Sequence, residues 1–184
     1  KKFKHSETLR FYPLGNRGAD RRKRKKYEYP LELLAKNKAF ANLQVLAFHP
    51  HTDEYCSGVD HPCFLPLEQV RAVLNSKVLS NLTGLQLRLS NMGDAGCEEI
   101  VKSGILKQLK ILDLRHGCIT DEGANILAKC PDLKHLDYLD LARNGLTSKG
   151  VRALRTTGIK FLADNQQTEA EINDYEYLRE GDFE

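Results

Sequence analysis

The sequence predicts an α/β solenoid, a stack of strand, loop and helix units with a parallel sheet on one side and helices on the other. Three observations predict it. The first is a 27-residue step that relates Leu85-Gln86-Leu87, Leu112-Asp113-Leu114 and Leu139-Asp140-Leu141. The same step relates Met92, Ile119 and Leu146, then Gly96, Gly123 and Gly150, then Ile100, Leu127 and Leu154. The second is the Leu-x-Leu alternation, which sets both leucines on one face of a short strand. The third is the run that follows each strand. Gly93-Asp94, Thr120-Asp121 and Thr147-Ser148 supply side chains that cap free helix amides, and apolar residues such as Ala124, Leu127 and Ala128 then recur at helical spacing.

Taken in chain order, Pro30–Lys38 reads as a helix that packs on the first coil. Leu43-Gln44-Val45-Leu46-Ala47-Phe48 matches Leu109-Lys110-Ile111-Leu112-Asp113-Leu114 at an offset of 66 residues, two periods plus 12. It is therefore a degenerate first strand, and the extra residues fall in His49–Cys63. Leu67–Leu74 reads as the helix after that insertion. The three regular units follow. Cys130-Pro131 stops the second of their helices, because Pro cannot continue it. Ile159-Lys160-Phe161-Leu162-Ala163 reads as a last short strand with Asp164-Asn165 after it. A solenoid exposes apolar surface at its ends and needs caps. The expected division is a basic segment with a capping helix over 1–38, repeats over 39–165 and an acidic cap or tail over 166–184. About five strands at about 4.8 Å spacing would span about 20–25 Å.

Charge is uneven along the 184 residues. Residues 1–30 carry eleven Lys/Arg against three Asp/Glu, residues 168–184 carry one Arg against seven acids, and the middle is close to balance. The total of +3 is a basic head, a balanced body and an acidic tail. Such a pattern argues against a uniformly basic nucleic-acid binder, which needs a sustained positive face. No apolar run is long enough for a membrane span. Lys1-Lys2-Phe3-Lys4 leads into polar residues, so no secretory signal is expected, and the absence of an initial Met is expected of a fragment. Five Cys without a paired framework favour reduced thiols and a cytoplasmic setting.

The residues now in view carry a resemblance. Leu109-x-x-Leu112-x-Leu114-x-x-Gly117-x-Ile119-x-x-x-Gly123-x-x-x-Leu127, followed by Pro131-x-Leu133, resembles a leucine-rich repeat. The Gly in the helix start and the long helical half are similar to the ribonuclease-inhibitor-like subclass. The resemblance covers about residues 82–165. It implies a right-handed solenoid with the parallel sheet on the concave face and the helices on the convex face. The family places Asn at the turn after the strand, where its amide bonds adjacent coils. Here the column reads Ser90, Gly117, Asn144, which leaves that ladder incomplete.

Several groups are candidate sites. On the inner sheet face, stacking aligns Gln86/Asp113/Asp140, Arg88/Arg115/Ala142 and Leu89/His116/Arg143, with Ile111 and Tyr138 beside them. An acidic column beside a basic one is either a partner surface or a sheet that satisfies itself through exposed ion pairs, each worth about 0–1 kcal/mol. As partner-binding residues the expected set is Gln86, Arg88, Asp113, Arg115, His116, Tyr138, Asp140 and Arg143. Arg and Tyr are the types that anchor interfaces. The loop His49–Cys63 gathers His49, His51, Cys56, His61 and Cys63, all zinc-ligand types, although their spacing lacks the Cys-x2-Cys knuckle. An ordinary surface loop rich in His-Pro is the competing reading. The run Arg21–Lys26 reads as a nuclear address, a nucleic-acid patch or a solvated loop. Cys97, Cys118 and Cys130 occupy repeat positions and read as packed small hydrophobes, not nucleophiles. No Gly-rich phosphate loop is present, and Leu14-Gly15-Asn16-Arg17-Gly18 reads as a turn.

The expected function is non-catalytic protein binding on the concave face, with no enzymatic activity and no required cofactor. The alternative is a zinc-stabilised or nucleic-acid-contacting module that uses loop 49–63 or the basic run. A protein partner is expected, nucleic acid is disfavoured and a membrane is not involved.

Overall fold

A computed structural model describes residues 8–11, 31–48 and 65–173. Six strands form one sheet: β1 (Thr8–Phe11), β2 (Val45–Phe48), β3 (Gly84–Leu87), β4 (Ile111–Asp113), β5 (Tyr138–Asp140) and β6 (Phe161–Leu162). They lie side by side in chain order, and every neighbouring pair is parallel. The helices α1 (Leu31–Lys36), α2 (Leu67–Leu74), α3 (Gly93–Ser103), α4 (Asp121–Lys129), α5 (Ser148–Arg155) and α6 (Glu169–Asn173) alternate with them. Parallel neighbours joined through helices make right-handed crossovers, so the chain winds as a right-handed α/β solenoid with its sheet on the concave side.

The register follows the 27-residue step. Leu85 stands beside Leu112, and Leu112 beside Leu139. All three are fully buried, as are Leu87, Leu114 and Leu141 one pleat further on. Ile119, Ile100, Leu127 and Leu154 close the same core from the loop and helix side. Pairing α3 on α4 and α4 on α5 continues the stack on the convex side. No helix among the described residues is long and apolar enough to cross a membrane.

Two differences from the sequence reading have local causes. The sheet has six strands, not about five, because Thr8–Phe11 adds a strand ahead of the first degenerate repeat. Phe11 stacks on Phe48 at 5.2 Å with the rings 6° from parallel, which ties that strand to β2. Four residues in polar, basic surroundings show no period, so the sequence did not reveal them. The second difference concerns the helix caps. Thr120 and Thr147 cap their own helices through Glu122 N and Lys149 N, as the sequence suggests. Asp94 and Asp121 instead cap the next coil. Asp94 Oδ1 accepts from Thr120 N at 2.8 Å and Gly123 N at 2.9 Å, and its Oδ2 accepts from the Thr120 hydroxyl. Asp121 repeats all three bonds on Thr147 N, Gly150 N and the Thr147 hydroxyl. Helix starts have unpaired N–H groups, and here a carboxylate from the preceding coil fills them, so capping also locks coil to coil.

Candidate interaction face

Strand alternation sends Leu85, Leu112 and Leu139 into the core and their neighbours to the opposite face. Register then sets two rows across that face. The first runs Thr8, Val45, Gly84, Ile111, Tyr138. The second runs Arg10, Ala47, Gln86, Asp113, Asp140, Leu162. The turns after the strands add Arg88, Arg115, His116 and Arg143.

The second row is not an open charged surface. Arg88 Nε donates to Asp113 Oδ2 at 2.6 Å. Arg115 reaches the same Asp113 oxygen at 3.5 Å through Nη2 and Asp140 Oδ2 at 3.3 Å through Nε. The remaining carboxylate oxygens accept from the backbone: Asp113 Oδ1 from Arg115 N, and Asp140 Oδ1 from Ala142 N. The Tyr138 hydroxyl donates to Asp140 Oδ2 at 3.4 Å. A diagonal chain thus runs Arg88, Asp113, Arg115, Asp140, Tyr138 across three coils. From sequence alone such pairs are expected to be exposed. In the structure Arg88, Asp113 and Asp140 are buried, and Arg115 is half-buried. Charges removed from water lose hydration, so their pairing is obligatory and not a weak surface contact. Burial pushes the Asp140 carboxyl up; the Ala142 N–H opposes this, the neighbouring Asp113 carboxylate adds to it, and Arg115 and Arg88 offset part of it. Burial and the Asp140 charge raise the Tyr138 hydroxyl in the same way.

His116 is also buried. Together with Leu89 and Arg143 it forms a column of left-handed residues, with φ of 53°, 52° and 54° respectively. Each turn has to take this conformation so that its amide can pair with the next coil: Leu89 N with Arg115 O, His116 N with Ala142 O, and Arg143 N with Asp164 O. Non-glycine residues pay strain there. Of the expected partner-binding set, Gln86, Arg115, Tyr138 and Arg143 are half-buried, while Arg88, Asp113, His116 and Asp140 are covered.

The exposed part of the face lies in the first row, where Tyr138 belongs to the expected set and Ile111 does not. Ile111 is 42% exposed, one of two large hydrophobics so exposed among the described residues. Tyr138 stands next to it in register and carries Lys160 Nζ 5.7 Å above its ring. The signal was present in the sequence: Ile111 and Tyr138 stand 27 residues apart, each one position before a leucine that faces the core.

Other candidates sort plainly. His49, His51, Cys56, His61 and Cys63 lie outside the described residues, and so does Arg21–Lys26. Among the described residues no group of His, Cys, Asp and Glu side chains is placed to hold a metal ion. Cys97 is buried, and burial with the nearby Asp94 pushes its thiol well above the usual range, so it is protonated and unreactive. Cys118 and Cys130 are half-buried and unbridged. β4 ends at Asp113, so His116 and Cys118 do not share a strand face.

Comparisons with known proteins agree with this architecture. A family model described as Leucine Rich repeat matches residues 107–128 and 132–154. A crystal structure of a protein from Bacteroides fragilis is similar, with a TM-score of 0.57 and 24% identity over 71% of this chain. The match covers 36% of that protein, so the chain spans about a third of its length, and the likeness is one of fold. No curated protein matches the sequence. The segments 107–128 and 132–154 are similar to leucine-rich repeats, a class whose members generally serve as protein-interaction scaffolds.

Proposed function

We propose that this chain is a non-catalytic protein-interaction module that holds its partner on the sheet face, with Ile111 and Tyr138 as the centre of contact. The observation that carries this reading is the exposed Ile111 on a sheet whose central charges, Arg88, Asp113, Arg115 and Asp140, are paired with one another. A large aliphatic side chain beside a tyrosine is an anchor pair, and the rigid ion network around it lowers the cost of ordering the surface on binding. Arg143 and Gln86 form the polar margin. Arg88, Asp113, Arg115, His116 and Asp140 act behind the surface, by holding it flat and in register.

The 27-residue period and the eleven-residue α3 support assignment to the ribonuclease-inhibitor-like subclass. The proposed organisation keeps 1–38 and 166–184 as the flanking caps of repeats 39–165. Unbridged Cys97, Cys118 and Cys130 suit a reducing, cytoplasmic setting.

Affinity capture followed by identification of bound proteins tests the proposal. The comparison is between the natural chain and Ile111→Asp, with circular dichroism confirming that both are folded. Loss of a specific protein from the variant is expected. Equal capture by both sinks the reading. Arg115→Glu is unsuited to the test, because it would leave two buried carboxylates facing a third acid.

A further inference from the structure

We propose that the outer face of α5 is a second docking site, separate from the sheet, for a short acidic peptide segment. Charge is distributed unequally among the coils. Residues 87–109 carry three Lys/Arg and three Asp/Glu, and residues 114–136 carry three and three. Residues 141–163 carry Arg143, Lys149, Arg152, Arg155 and Lys160 with no acid at all. On α2 and α3 cations are matched: Arg71 pairs with Glu99 at 3.2 Å, and Lys102 with Glu98 at 2.7 Å. On α5, Lys149, Arg152 and Arg155 are exposed, and none forms an ion pair among the described residues. Asp121 lies near enough to Lys149 for the charge to act on it, but it is already committed to capping α5.

The helix also breaks a local rule. Positive charge in a first helical turn opposes the helix dipole. The first turns of α2, α3 and α4 carry acids, whereas α5 has none and places Lys149 there. A local penalty without a local gain points to use elsewhere. Lys149, Arg152 and Arg155 fall at spacings of three, which forms one stripe about 9 Å long on the helix. Two guanidinium groups and one ammonium favour carboxylates, which Arg binds through two parallel hydrogen bonds.

The length of the ligand follows from the surroundings. Glu122 is exposed on α4, in the position that Lys149 takes on α5, with Glu98 and Glu99 beyond it on α3. In the other direction along the chain lie Glu169 and Glu171 of α6. A long polyanion such as nucleic acid would meet these acids, and the stripe has no aromatic side chain for bases to stack on. Three or so carboxylates in one peptide stretch fit between them.

Fluorescence anisotropy with a short labelled oligoglutamate peptide and the full chain tests the site. Saturable binding at low salt is expected, weaker by about tenfold or more in the variant Lys149→Glu, Arg152→Glu, Arg155→Glu. The milder set Lys149→Gln, Arg152→Gln, Arg155→Gln should show the same direction. Ile111→Asp should bind the peptide as the natural chain does, which separates this site from the sheet face. Absence of saturable binding, or equal binding by the altered α5, overturns the proposal. So does tighter binding of an oligonucleotide through the same three residues, which would assign the face to phosphates.

Discussion

Glycine at 150 is required by the carboxylate behind it. A Cβ there would lie 2.5 Å from Asp121 Oδ1 and 3.2 Å from Ala124 Cβ, and Asp121 Oδ1 stands so close because it accepts from Gly150 N. Gly123 meets Asp94 Oδ1 in the same way. Alanine favours a helix over glycine by about 1 kcal/mol, yet Gly150→Ala should destabilise the fold by about 1–3 kcal/mol, because the crowded carboxylate has to leave its hydrogen bonds. In an Asp121→Ala background the same change should cost less, with a coupling of about 0.5–3 kcal/mol in a urea-unfolding double-mutant cycle. Additive costs would refute the steric account. The two acids at the heart of the repeats should also titrate in opposite directions. For Asp121, burial acts upward but is outweighed by bonds from Thr147 Oγ, Thr147 N and Gly150 N and by Lys149, so its carboxyl lies below the ordinary value of 3.8. Its contribution to stability is present above that value and lost as pH falls through the depressed one. Asp140 lies above 3.8 because of burial, so its ionisation opposes folding as pH rises from 3.8 through its raised value. Carboxyl carbon NMR titration checks both; a shared midpoint would contradict the structure. The glycine column was legible in the sequence. Its cause was not, since the clashing atom belongs to a residue 29 positions earlier.

Turns between elements are held by two amide side chains of different length. Asn144 Oδ1 accepts from Gly117 N and Ile119 N, and its Nδ2 donates to Leu114 O, Leu141 O and Ala142 O. One coil later the same work falls to Gln166, whose Oε1 accepts from Leu146 N and whose Nε2 donates to Leu141 O and Asp164 O. Leu146 and Leu141 are the 27-residue counterparts of Ile119 and Leu114. The last coil is short: β6 pairs with β5 at an offset of 22 residues, which brings Gln166 to the place of Asn144. The sequence disclosed Asn144 through the family pattern but not Gln166, because the last coil departs from the 27-residue period and the substitute is of another residue type. At the earlier position of the column, Ser90 Oγ is buried and has no partner among the described residues. Losing a buried acceptor leaves N–H groups unpaired at about 1–3 kcal/mol each. Asn144→Ala, with two such amides and full burial, should therefore lower stability more than Gln166→Ala, whose side chain is half-buried. Chemical denaturation ranks the two, and the reverse order would show that Gln166 matters more than its exposure implies.

Across the whole molecule, stability in a solenoid is a sum of coil terms and nearest-neighbour interfaces. The polar locks between coils are unevenly placed. Asp94 to Thr120, Asp121 to Thr147, Asn144 to Gly117, and the chain from Arg88 to Tyr138 all join the coils from β3 to α5. Among the described residues the corresponding links toward the N-terminus are fewer, such as Ser76 Oγ to Ala35 O and Asn81 Nδ2 to Ala41 O. At the other end β6 has two residues, and α6 holds itself by a local box in which Glu171 accepts from Thr168 N. The 27-residue period is cleanest over the same central coils, so the part of the fold most legible in the sequence is the part with the most inter-coil bonds. Regular spacing is what lets one residue type reach the same atom in each successive coil. Native-state hydrogen exchange should divide accordingly. Amides of β4, α4 and β5 should exchange last and as one group, since opening any of these coils breaks interfaces on both sides. Those of β1, α1 and β6 should exchange first, each losing one interface only. Asp121→Ala should bring α5 forward into the fast group while β3 stays slow. Uniform protection from β1 to β6 would mean that the inter-coil carboxylates do not set the cooperativity of the stack.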